Sequence, residues 1–185
     1  PSNLSKAKAY LKRYESFESN SIYLDSAMQY LSKSTDNFTS YIQYYYLKND
    51  NNGLINYVMS NEINNDRYSK SDLALAYSRI GEIFSKNNLI VKADLFHKKA
   101  VDLMPFVINY KNKYGSFLFN NNQIGKAEIQ YLDALRLNPT IKEIHANLGM
   151  IAITKENYSS AESSLKQAIA LDPDYVLAYE NLVFL

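Results

Sequence analysis

The chain has 185 residues, and its 20 Lys and Arg against 19 Asp and Glu give a formal net charge of +1. This balance provides no strong field for an anionic partner, so we expect no nucleic-acid binding. The lack of cysteine excludes disulfides and thiolate metal sites, and no apolar run reaches the roughly eighteen residues of a membrane span.

The first seventy residues indicate helices without a regular spacing. Periodic apolar residues predict helices over 4–17, 22–31, 38–48 and 54–59. The polar segment NDNNG at 49–53 is predicted as a turn, and NEINNDRY at 61–68 as a loop. We interpret residues 1–70 as two irregular helical pairs, and a separate helical domain is the alternative.

From residue 71 onward one pattern recurs every 34 residues. The segments AVDLMP, ALRLNP and AIALDP end at Pro105, Pro139 and Pro173. Glycine and alanine columns share this spacing: Gly81, Gly115 and Gly149; Ala93, Ala127 and Ala161; Ala100, Ala134 and Ala168. Several columns recurring together at one spacing indicate an internal repeat.

Each repeat predicts a pair of antiparallel helices. In the first unit Leu73, Tyr77 and Ile80 recur at helical spacing, and Asn87 and Asn88 then interrupt the pattern. The proline of each unit ends the second helix, because proline has no amide hydrogen to donate. The small residues fall where two helices must approach closely, since a larger side chain would push them apart.

The order aromatic, Leu-Gly, aromatic, Ala, aromatic, Ala and Pro resembles the tetratricopeptide repeat, a helix–turn–helix unit of 34 residues. The matching units are 74–107, 108–141, 142–175 and the first helix of a fourth from Val176. The resemblance implies an all-α, right-handed superhelical solenoid of antiparallel helix pairs over 71–185. The pairs of 1–70 would then be degenerate units, and His97, Lys111 and His145 depart from the aromatic positions.

The sequence carries no recognisable catalytic or cofactor-binding pattern. His97 and His145 occupy columns that are apolar in the repeat, so we expect core or half-buried residues rather than metal ligands. The Gly-Lys pair at 125–126 lacks the other residues of a phosphate loop. Lys48 and Met59 stand where a calcium loop needs its first and last ligands. We therefore expect neither an enzyme nor a cofactor site within these residues.

Solenoids usually bind partners on their concave surface, which in the resembling family is lined by the first helix of each pair. A polar column lies two residues before each glycine position, where the core does not require it. The predicted partner contacts are Arg79, Lys113, Asn147 and Asn181 of this column, with Asn109, Asn112, Phe119 and Met150 beside it. Other positions on this face are Leu75, Ser78, Glu82, Ser116 and Glu143.

Asparagine suits this column because its amide both donates to and accepts from an extended peptide backbone. HANLG and YENLV resemble two rungs of the asparagine ladder in the peptide-binding superhelix of O-GlcNAc transferases. Arg79 and Lys113 replace the other rungs and would suit an acidic segment or a C-terminal carboxylate. Ser78 and Glu82 argue against the carboxylate clamp that binds chaperone tails, and a merely solvated polar face is the alternative.

We therefore predict a non-catalytic protein-interaction module that binds a peptide segment or helix of a partner in its concave groove. One alternative is the substrate-recognition arm of a larger enzyme, such as a glycosyltransferase. Another is a self-assembling scaffold that pairs through its ends or through the tyrosine-rich segment 41–46. LAYENLVFL would expose apolar side chains without a following helix, so we expect a longer parent chain. The partner and the compartment stay open.

Overall fold

The computed structural model describes residues 2–16, 21–34, 37–61 and 68–185, which contain eleven α-helices and no β-strand. The helices are α1 (Asn3–Ser16), α2 (Ser21–Leu31), α3 (Phe38–Leu47), α4 (Asn51–Asn61), α5 (Lys70–Lys86), α6 (Ile90–Leu103), α7 (Ile108–Asn120), α8 (Ile124–Leu137), α9 (Lys142–Thr154), α10 (Tyr158–Leu171) and α11 (Val176–Leu182). Within these ranges no helix is both long and apolar enough to cross a membrane.

The predicted helix pairs are confirmed from α5 onward. Helix α5 packs against α6, α7 against α8, and α9 against α10, and each pair also contacts the next. Helix α11 begins at Val176, where the fourth unit was expected, and contacts α9 and α10. One hydrophobic core extends from α3 to α9, with smaller clusters at α1–α3 and at α9–α11.

The small-residue columns lie at tight helix contacts, as predicted. Ala127 and Ala134 are fully buried. A Cβ added at Gly115 would lie 2.7 Å from a ring carbon of Tyr131, and one at Gly149 would lie 2.7 Å from Leu165 Cγ. Real Cβ atoms do not approach other heavy atoms so closely, so a side chain at either glycine would force the helices apart.

A further column, at the turn between paired helices, was not recognised in the sequence. Asn88, Asn122 and Glu156 are 34 residues apart, and all three adopt a left-handed backbone conformation with φ between 56° and 58°. Asparagine tolerates this region better than most residues, which explains two of the three identities. In each turn the residue that directly follows donates its N–H to a carbonyl of the preceding helix and closes it, as Leu89 does to Phe84 at 2.9 Å.

Helix α4 is longer than predicted at both ends, since it runs from Asn51 to Asn61 rather than over 54–59. Helix α4 begins at Asn51, so only Asn49 and Asp50 of the predicted turn lie outside a helix. Asp50 Oδ1 accepts the N–H of Gly53 at 2.8 Å, and this cap extends α4 by three residues beyond the predicted start at Leu54. The turn before it has the geometry of the regular units, with Asn49 at φ 58°. Most of the predicted loop, at 62–67, lies outside the described residues.

Candidate partner-binding surface

The first helices of successive pairs form one continuous surface, which we call the first-helix surface. It consists of α5, α7, α9 and α11, and each of these helices contacts the next. The predicted polar column runs along it, with one residue on each helix: Arg79, Lys113, Asn147 and Asn181. All four side chains are half-buried, so they are partly held by neighbours and partly open to a partner.

The first half of this surface carries an ion-paired cluster. Glu82 Oε1 accepts a hydrogen bond from Lys113 Nζ, and its Oε2 lies 3.8 Å from Arg79 Nη1. The Arg79 guanidinium also lies over the ring of Tyr46, 3.8 Å from its centre. Glu82 therefore joins α5 to α7, while Tyr46 brings α3 to the same site. These residues line a cleft of about 430 Å³, together with Lys86 and Asn112.

His97 forms part of the cleft wall and is hydrogen-bonded to Ser85. Its side chain is buried, as predicted, and burial lowers its pKa to about 4, so the ring is neutral at pH 7. Nε2 lies 3.1 Å from Ser85 Oγ, while that hydroxyl donates its proton to the Gly81 carbonyl oxygen at 2.8 Å. Ser85 consequently accepts from Nε2–H, and the pair lacks the arrangement of a nucleophile with its base.

In the second half of the first-helix surface the polar column consists of amides instead of charged side chains. Asn147 Nδ2 donates to Asn112 Oδ1 at 3.0 Å and so links α9 to α7. Asn181 Nδ2 is buried and has no acceptor among the described residues. A buried amide without a partner is uncommon, because its desolvation is not compensated. The amides are thus spaced along the surface with hydrogen-bonding capacity left over.

The remaining predicted contacts lie at unequal depths. Asn109 is exposed on the first turn of α7, and Met150 is half-buried on α9. Phe119 is half-buried and packs against the main hydrophobic core, so part of its ring already has an intramolecular partner. His145 is also half-buried, as predicted. Its Nε2 donates a hydrogen bond to the Pro139 carbonyl oxygen at 2.8 Å, since a carbonyl oxygen can only accept.

Sequence analysis missed two features of the cleft. Tyr46 belongs to the irregular N-terminal region, where the 34-residue spacing gives no register for placing a side chain next to Arg79. Glu82 was placed on the first-helix face, but its ion pair with Lys113 was not foreseen. The sequence did contain a signal for the ion pair between Glu82 and Arg79, since residues three apart are neighbours on a helix.

The comparisons with known proteins identify the repeat and the fold. Residues 142–175 match the tetratricopeptide repeat family, which is the third predicted unit. No curated protein matches the chain in sequence. Among solved structures, an RS-1 MamA double mutant has a TM-score of 0.68 at 14% identity, over 94% of this chain and 96% of its own.

Two further structures share the fold and carry information on ligands of their own. YrrB, described as a TPR protein with an unusual peptide-binding site, has a TM-score of 0.58 at 18% identity, over 94% of this chain and 97% of its own. The first TPR of Spaghetti (RPAP3), bound to the HSP90 peptide SRMEEVD, has a TM-score of 0.58 at 19% identity, over 62% of this chain and 90% of its own. The tetratricopeptide repeat predicted at 142–175 and the all-α, right-handed solenoid fold predicted from the sequence are confirmed.

Proposed function

We propose that the chain is a non-catalytic interaction module that binds an extended segment of a protein partner along its first-helix surface. The observation that carries the proposal is the run of polar side chains on successive first helices, from Arg79 and Lys113 to Asn147 and Asn181. Their half-buried positions are not needed to fill the core, and they change from charged to amide along one continuous surface. The peptide-binding descriptions of YrrB and the RPAP3 domain support the same kind of role.

The two halves of the surface would recognise different parts of such a segment. The amides of Asn112, Asn147 and Asn181 would pair with backbone N–H and C=O groups, which gives affinity without reading the sequence of the segment. Arg79 and Lys113 would contact an acidic side chain or a terminal carboxylate through charge-assisted hydrogen bonds. Binding should therefore weaken with added salt, but only in part, because the amide contacts are not screened.

The test uses peptides selected by phage display on the intact chain and measured by isothermal titration. The variant Lys113→Ala/Asn147→Ala should bind the selected peptides at least about tenfold more weakly, or roughly 1.4 kcal/mol. A matched control is Lys98→Ala/Gln167→Ala, since both residues are exposed on second helices, away from the first-helix surface. The control should keep wild-type affinity.

The same pair of variants identifies the partner. Affinity capture from a lysate should retain one protein on the wild-type chain and on the control, and lose it on Lys113→Ala/Asn147→Ala. Equal retention by all three proteins, or unchanged peptide affinity, would exclude the first-helix surface as the binding site.

A further inference from the structure

The ion pairs of Glu82 occupy the charged half of the proposed binding surface. Glu82 lies one helical turn after Arg79 on α5, and its carboxylate reaches across to Lys113 on α7. The side chains of Glu82, Arg79 and Lys113 are 22%, 29% and 31% exposed. All three are therefore accessible from the cleft, and a carboxylate supplied from outside can reach the same two cations.

Positive charge is in excess at this cleft. Arg79, Lys113 and Lys86 line it, and Glu82 is the one acidic residue among its described lining residues. His97 adds no charge near neutral pH, because burial holds its pKa near 4. A single carboxylate leaves the other cationic groups uncompensated, so the cleft favours an anionic ligand over a cationic one.

Arg79 is held ready for a second carboxylate. Its guanidinium is oriented by the ring of Tyr46 at 3.8 Å, while its closest nitrogen stays 3.8 Å from Glu82 Oε2, beyond hydrogen-bonding distance. A planar guanidinium binds carboxylates best through two parallel hydrogen bonds, which Glu82 does not make. The Arg79 donors thus remain free to take a better-placed acceptor.

We propose that Glu82 is an internal competitor for the cleft, and that an acidic side chain of the bound segment displaces it from Lys113 and Arg79. This inference rests on the proposed function, because it concerns the same surface. Displacement exchanges one partly exposed ion pair for another. Because such pairs contribute little to stability, the exchange costs little free energy. Glu82 thereby lowers affinity for every acidic segment and excludes those that offer a single weakly placed carboxylate.

The test compares the wild-type chain with Glu82→Gln, which keeps the shape of the side chain and removes its charge. The probes are two fluorescein-labelled decapeptides, one of alternating Glu and Ala and the other with Gln in place of every Glu. Glu82→Gln should bind the Glu peptide about two- to fivefold more tightly than wild type, while binding of the Gln peptide stays unchanged. The control Glu162→Gln, whose ion pair with Lys166 lies on α10, should change neither.

The outcomes separate this inference from the proposed function. Equal binding of the Glu peptide by wild type and Glu82→Gln overturns the competitor role, and so does the absence of any preference for Glu over Gln. If Lys113→Ala/Asn147→Ala still weakens the selected peptides in that case, the binding surface stands and only the role of Glu82 is lost. Thermal unfolding of Glu82→Gln at the wild-type temperature verifies that the fold is intact.

Discussion

The pairs α3–α4 and α7–α8 bring two helices together by different means. In α7–α8 the contact is made by small residues, with Ala127 and Ala134 fully buried and Gly115 pressed against a tyrosine ring. In α3–α4 one glycine, Gly53, also lies against a tyrosine ring, but no alanine column accompanies it and aromatic rings fill most of the contact. Tyr57 lies within 5.8 Å of the rings of Phe38, Tyr41 and Tyr45. Small residues allow close approach of the backbones, whereas rings accept a wider and less regular spacing.

This difference explains why the repeat can be read in one region and not in the other. A position that must be Ala or Gly permits few substitutions, so its column survives in the sequence. Ring packing can be achieved by several arrangements of Tyr and Phe, and so it leaves no fixed column. The irregular pair nevertheless contributes to the candidate site, since Tyr46 of α3 orients Arg79.

The largest expected effect concerns acid stability and involves His97, which faces Gly81 in the regular pair α5–α6. Its folded-state pKa, about 4, lies below the unfolded value of 6.5, so the unfolded chain binds more protons between these values. The contribution of His97 to the free energy of unfolding is therefore fully present above pH 6.5. It falls by up to about 3 kcal/mol as the pH approaches 4.

The variant His97→Phe removes this titration and keeps an aromatic ring at the position. Urea unfolding from pH 7 to pH 4 should show a smaller loss of stability for His97→Phe than for wild type. The difference reports on His97, because the two proteins carry the same carboxylates. The tyrosine rings of α3–α4 do not contribute to the change in stability between pH 7 and pH 4, since burial raises the pKa of Tyr57 further above its ordinary value. Parallel pH profiles for the two proteins would contradict the prediction.

A smaller effect is expected from enlarging the alanine column. Ala134→Leu places three extra carbons in a fully buried position between α7 and α8 and should cost about 1–3 kcal/mol by forcing the helices apart. Ala170→Leu is the matched control on an exposed face of α10, where the change should stay within about 0.5 kcal/mol. Equal denaturation midpoints for Ala134→Leu and wild type would remove the distinction between the two kinds of pair.

The smallest effect is expected in the aromatic pair. Tyr57→Leu keeps an apolar side chain but removes three ring contacts, which should cost about 0.5–1.5 kcal/mol. Because each unit of a solenoid contacts only its neighbours, hydrogen exchange should quicken in α3–α4 and stay unchanged in α9–α10. Faster exchange along the whole chain would show that the two regions unfold as one cooperative unit.

Much of the regular region could be predicted because its determinants are local. The spacing of Leu73, Tyr77 and Ile80 places them on one helical face, and all three are buried. The burial of His97 followed from its column in the same way. The predicted start of α4 was wrong, because the observed start depends on a cap from Asp50 rather than on the spacing of apolar residues.

The sequence by itself determined the helix pairs, their repeat and the polar column on the first helices, since all of these follow from spacing within one or two helices. The tertiary structure alone decided which of those polar residues meet. Glu82 reaches Lys113 on another helix, and Tyr46 reaches Arg79 from outside the regular repeat. Such contacts depend on how consecutive pairs are rotated and stacked, and that rotation is set by packing across the whole core rather than by any single segment.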